Sequence, residues 1–119
     1  TYCFSRMLKM ILHYELENYD FLEYAIKSTS RYLSKTKRNY QIETVFIKYI
    51  RKVSKVVDAP SKLKVFKEMK KEVDQLLNIH EERVILEFFD VSAWIYSKIN
   101  KKPFDESVKI LLAERKVNN

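Results

Sequence analysis

Asn39-Tyr40-Gln41-Ile42-Glu43-Thr44-Val45-Phe46-Ile47-Lys48-Tyr49-Ile50-Arg51-Lys52-Val53-Ser54-Lys55-Val56-Val57-Asp58-Ala59-Pro60-Ser61 holds a helix and both of its ends. Ile42, Val45, Phe46, Tyr49, Ile50, Val53, Val56 and Val57 recur at the 3.6-residue period, the cleanest apolar stripe in the chain. Asn39 is placed to cap the start. Asp58-Ala59-Pro60-Ser61 stops this helix and begins the next, because proline is tolerated only in a helix's first turn.

The chain around this stretch has no glycine, where ordinary usage of about 7% would supply roughly eight. Glycine is the usual residue at positive φ, so few tight primed hairpin turns are available and β-rich folds are disfavoured. Apolar content of 46% with 33% charge suits a globular helical chain rather than a disordered one. The pattern predicts an all-α fold of six helices over about 2–17, 21–35, 40–57, 60–77, 79–100 and 105–116. Phe4, Leu8, Ile11, Leu12 and Leu16 form the expected stripe of the first helix. Asp20 with Glu23 reads as a capping box opening the second, with Tyr19 and Tyr24 as its hydrophobic staple. Leu22, Ala25, Ile26, Thr29 and Leu33 face inward on that helix, and Leu63, Phe66, Met69, Val73, Leu76 and Leu77 on the fourth. Asn78 followed by Glu81 resembles another capping box, which separates helices four and five. The fifth is the most apolar, and its wide apolar surface calls for burial on two sides. Val108, Leu111 and Leu112 face inward on the last helix.

Short corners make successive helices antiparallel, giving three helix-turn-helix pairs in one domain over 1–119. The pairs recur after about 38 to 39 residues, within the range of helical repeats that stack into a solenoid. The opening Thr1-Tyr2-Cys3-Phe4 runs straight into helical patterning, so the chain is expected to be a piece of a larger protein. No apolar run approaches the ~20 residues that span a bilayer, and one cysteine, Cys3, fits a reducing, cytoplasmic setting.

Leu12-His13-Tyr14-Glu15-Leu16-Glu17-Asn18-Tyr19-Asp20-Phe21-Leu22-Glu23-Tyr24-Ala25-Ile26 resembles the helix-corner-helix of a tetratricopeptide repeat. Glu17-Asn18-Tyr19-Asp20 stands at that family's corner, with Glu17 where glycine is usual and Leu22 where a small residue is expected. The resemblance covers about 1–57 and looks like the C-terminal helical segments of tetratricopeptide-like proteins from Bacteroidetes-type bacteria. It implies an α-α superhelix and a non-enzymatic scaffold that binds peptides or proteins, or a unit that caps a solenoid. It implies no cofactor.

The formal net charge of +7 is uneven. Lys27, Arg31 and Lys35 share one face of the second helix, and Lys48, Arg51, Lys52 and Lys55 one face of the third. Lys37 and Arg38 lie between them. If the faces adjoin, they form a candidate basic surface for an acidic protein or, as the alternative function, a nucleic acid. The plainer reading is the solvated side of two amphipathic helices. Tyr32, Tyr40 and Tyr49 among the charges read as core-edge residues, with base stacking the alternative. Trp94 is the candidate interface aromatic, because tryptophan is enriched at binding hot spots. Phe88, Val91 and Ile95 mark the core side of its helix, with Trp94 and Tyr96 toward the margins. The other reading of Trp94 is a core-edge residue beneath the last helix.

No constellation of His13 and His80 matches a metal motif, and Walker, nucleophile-elbow and dinucleotide loops all need glycine. Glu87 and Asp90 fall three residues apart on the expected fifth helix, where a solvated strip with Arg83 outweighs an acid pair. The sequence thus points to no catalytic residue, no metal and no cofactor. Its partner is an unidentified protein or peptide, with self-association through an exposed solenoid end a further option and no membrane involved.

Overall fold

Residues 2–35 and 40–118 are described by a computed structural model. They form helices α1 (Tyr2–Glu15), α2 (Tyr19–Lys35), α3 (Gln41–Ser54), α4 (Ala59–Leu76), α5 (Val91–Asn100) and α6 (Phe104–Asn118), with a 3-10 helix over Glu82–Glu87. There is no strand among the described residues. The pairs α1–α2, α3–α4 and α5–α6 each pack together. Between pairs, α3 lies against both α1 and α2, and α4 against α5. One cluster of buried side chains runs from α1 to α5, centred on fully buried Phe46, Ile50, Met69 and Ile95.

Helix ends follow local chemistry where it is present. The Asp58 carboxylate accepts from the Ser61 backbone N–H at 2.9 Å, and Pro60 sits in the first turn, as expected. The corner after α1 turns through Glu17, at φ 59°, and α5 ends at Lys101, at φ 53°. Both are left-handed positions that glycine usually fills, occupied by side chains in a chain that has none. Glu17 is the residue standing at the glycine position of the corner motif.

Several expectations give way to packing. The core side of α1 is Phe4, Met7, Met10, Ile11 and Tyr14, whereas Leu8, Leu12 and Leu16 lie on the exposed side. A seven-residue spacing through Phe4, Met7, Ile11 and Tyr14 points at α2 and α3, and the leucines fall on the neighbouring flank. Helix α2 starts at Tyr19, with the Asn18 carbonyl accepting from the Leu22 N–H at 2.9 Å, so Asp20 lies inside the first turn. Tyr24 is 74% exposed and makes no staple. Helix α3 ends at Ser54, leaving Val57 91% exposed. Leu63 on α4 and Leu112 on α6 are exposed, while Ser107 of α6 is buried.

The largest correction concerns the expected helix over 79–100. Its first half is a turn followed by the 3-10 helix, and α5 begins only at Val91. Asn78 caps nothing there. Asp90 instead caps α5, its carboxylate accepting from the Ala93 N–H at 3.0 Å. Breaking the helix meets the wide apolar surface by another route: the chain turns, burying Ile85 in one direction and Val91, Trp94 and Ile95 in another. Glu87 and Asp90 therefore share no helical face, and Asp90 pairs with Arg115 of α6 through two bonds of 3.0 and 3.1 Å. Phe88, expected in the core, is half exposed.

Candidate functional site

Among the described residues, helix α3 begins without a local side-chain cap. Tyr40 occupies the N-cap position and makes no side-chain cap bond, and the Asn39 cap expected from sequence lies outside the described residues. The cap comes from the 3-10 helix. Buried Glu82 accepts from the Ile42 N–H at 2.8 Å through Oε1 and from the Gln41 N–H at 3.2 Å through Oε2. A carboxylate there satisfies two free donors and meets the positive end of the helix dipole. The helix expected over 79–100 puts Glu82 in its first turn and gives no sign of this role, because its partners lie 41 and 40 residues away.

The candidate basic residues divide by neighbourhood. Lys27 is 3.3 Å from Glu23 on its own helix, with both side chains well exposed. Arg31 and Lys35 are exposed on α2, and Lys55 is exposed at the end of α3. Lys48 and Arg51 line a shallow groove of about 380 Å³ between α2 and α3, together with Ser30, Ser34 and Thr44. There Arg51 donates to the Ser30 hydroxyl at 3.1 Å. Lys48 is turned toward α4, 3.1 Å from Glu72, and Lys52 lies over the Tyr49 ring at 5.3 Å. The two helices do adjoin, but part of their positive charge is already met within the fold. Lys37 and Arg38 fall outside the described residues.

Tyr49 is buried and donates its hydroxyl to Glu72 at 2.6 Å. Burial, then this bond to a carboxylate, pushes the phenol up to about 12. The Tyr49 hydroxyl and the Lys48 ammonium hold the Glu72 carboxyl below its ordinary value. Tyr40 packs on Phe4 at 5.0 Å, and Tyr32 lies under the Arg6 guanidinium at 4.2 Å. All three tyrosines are thus engaged by the protein itself.

Trp94 belongs to the core, not to its margin. It is 4% exposed and meets Tyr14 of α1 at 6.1 Å, Phe46 of α3 at 6.2 Å and Phe66 of α4 at 5.7 Å. Its indole N–H donates to Glu15 at 2.7 Å, and the second Glu15 oxygen accepts from Lys98 at 2.6 Å. A tryptophan enclosed on this scale joins elements and offers no docking surface.

The open apolar surface lies elsewhere, on the outer side of the first hairpin. A groove of about 780 Å³ runs between α1 and α2, lined by Arg6, Lys9 and His13 on one wall and Asp20, Phe21, Tyr24 and Ser28 on the other. Phe21 is 65% exposed and stacks on His13 at 5.7 Å. Leu8, Leu12 and Leu16 continue the apolar surface along α1. Sequence reading assigned these leucines inward and Tyr24 to a staple. The available signal was that α1 carries more apolar residues than one stripe holds.

Among the described residues, no group of three His, Cys, Asp or Glu side chains is placed to hold a metal ion. No helix among them is long and apolar enough to cross a membrane. The chain matches no family model, no curated protein and no solved structure.

Proposed function

We propose that this chain is a non-enzymatic, tetratricopeptide-like module that binds a protein partner, and that the outer face of α1–α2 is its docking surface. The carrying observation is the 780 Å³ groove between these helices with Phe21 and Tyr24 standing open at its edge. Aromatic side chains of this size are typical anchors of protein interfaces. The hairpin pairing and the packing of α1 on α3 support the repeat-like reading. In a longer array the same face suits a unit that caps the stack. The module acts in the cytoplasm, where a lone thiol such as Cys3 stays reduced.

The test is capture from nuclease-treated lysate at low and moderate salt, comparing the wild type with Tyr24→Lys and with a variant reversing Lys48, Arg51, Lys52 and Lys55 to glutamate. A defined protein held at both salts and lost with Tyr24→Lys is expected. Nucleic acid held only before nuclease treatment, and lost in the charge-reversed variant, would overturn this reading in favour of a basic nucleic-acid-binding module.

A further inference from the structure

The open face of the first hairpin is polarised. Lys9 lines the groove about midway along α1, and Asp20 lines it near the α1–α2 corner, beside exposed Glu17. Neither Lys9 nor Asp20 has an ion-pair partner among the described residues. Between them lie the exposed apolar side chains, Leu12 (56% exposed) and Tyr24 foremost. From Lys9 to the corner the face therefore runs from basic through apolar to acidic, laid along two antiparallel helices.

We propose that this face pairs with the same face of a second copy about a two-fold axis near Leu12 and Tyr24. A two-fold axis lying in the interface across the Lys9-to-Asp20 direction reverses the face end for end, so Lys9 of each copy meets Asp20 and Glu17 of the other. The interface is self-complementary, which is what an isologous contact requires. Parallel stacking would instead set Lys9 on Lys9 and Asp20 on Asp20. The apolar middle supplies the attraction, and the two symmetric charge pairs fix direction and exclude the parallel arrangement. The net charge of +7 on each copy opposes association at long range, so local complementarity must hold the pair together.

This inference rests on the docking face proposed above and names its occupant. The test is sedimentation equilibrium of the chain over a range of concentrations, with helicity and the unfolding midpoint followed in each variant. The wild type is expected to reach twice its 14.4 kDa mass. Lys9→Glu and Asp20→Lys should each weaken the dimer by tenfold or more, and Lys9→Glu combined with Asp20→Lys should restore it. A wild type that stays monomeric, or a dimer indifferent to the single reversals, overturns self-pairing. So does a double variant no tighter than the singles. If the wild type is monomeric yet still captures a protein that Tyr24→Lys loses, the docking face survives and only its occupant changes.

Discussion

Helix α1 presents two apolar sides with opposite fates. On one, Tyr14 joins Phe46, Phe66 and Trp94, and even the charged neighbours Glu15 and Lys98 are drawn into hydrogen bonds with the group. On the other, Leu8, Leu12 and Leu16 pass alongside Phe21 and Tyr24 and stay exposed, with no helix among the described residues covering them. The residue types hardly differ. The difference is that α3, α4 and α5 converge on the first side and nothing in the described chain converges on the second. Apolar content marks a side that wants a partner, and topology decides whether the partner is internal.

The sharpest way to break this comparison is to truncate one residue from each side. Trp94→Ala is expected to lower unfolding free energy by about 3–5 kcal/mol, because the cavity is lined by aromatics that cannot collapse onto it. Leu12→Ala, measured at concentrations low enough to keep the chain monomeric, should change it by less than about 0.5 kcal/mol. Comparable losses in urea titrations would erase the distinction between the sides.

Next in size is the remote cap. Glu82→Ala removes a buried carboxylate from two backbone donors and should cost about 2 kcal/mol. Asp58→Ala, at an exposed cap, should cost about 1 kcal/mol. Equal losses would mean that burial of Glu82 adds nothing to its role.

The smallest effects concern pH. The raised pKa values of Tyr49 and Tyr14, each pushed to about 12, give stability that is complete below the ordinary value of 10.0 and lost as pH rises toward 12. The lowered pKa of Glu72 works in the other direction, with stability present above its ordinary 4.5 and lost as acid takes the pH through the lower folded value. Tyr49→Phe should flatten the alkaline limb and Glu72→Gln the acid limb of denaturation midpoint against pH. An alkaline limb unchanged in Tyr49→Phe would assign the whole loss to other groups.

These contrasts also explain what was legible in the sequence. The start of α4 could be read because Asp58, Pro60 and Ser61 carry its whole chemistry within four positions. The part Glu82 plays at the start of α3 could not, since it acts across a fold that must exist first. The stripe of α1 was ambiguous because Leu8 and Leu12 fit the helical period as well as Met7 and Tyr14 do, and only the positions of α2, α3 and α5 choose between them. The apolar run from Val84 to Ile99 looked like one helix by content, yet Asp90 offered a cap in its middle and the chain took it. Of the candidate basic surface, the adjoining of α2 and α3 was foreseeable. The neutralisation of Lys48 by Glu72 was not, because it comes from α4.

The bonds from Glu15 to Trp94 and Lys98 join residues 79 and 83 positions apart. In an open stack of repeats each unit touches only its neighbours, so melting can begin at one end and creep inward. Here the first hairpin grips the third directly, which closes the path along which such fraying would spread. The chain should come apart in one cooperative step, with the amides of α1 and α5 exchanging at a common rate set by global opening. Loosening either end loosens both.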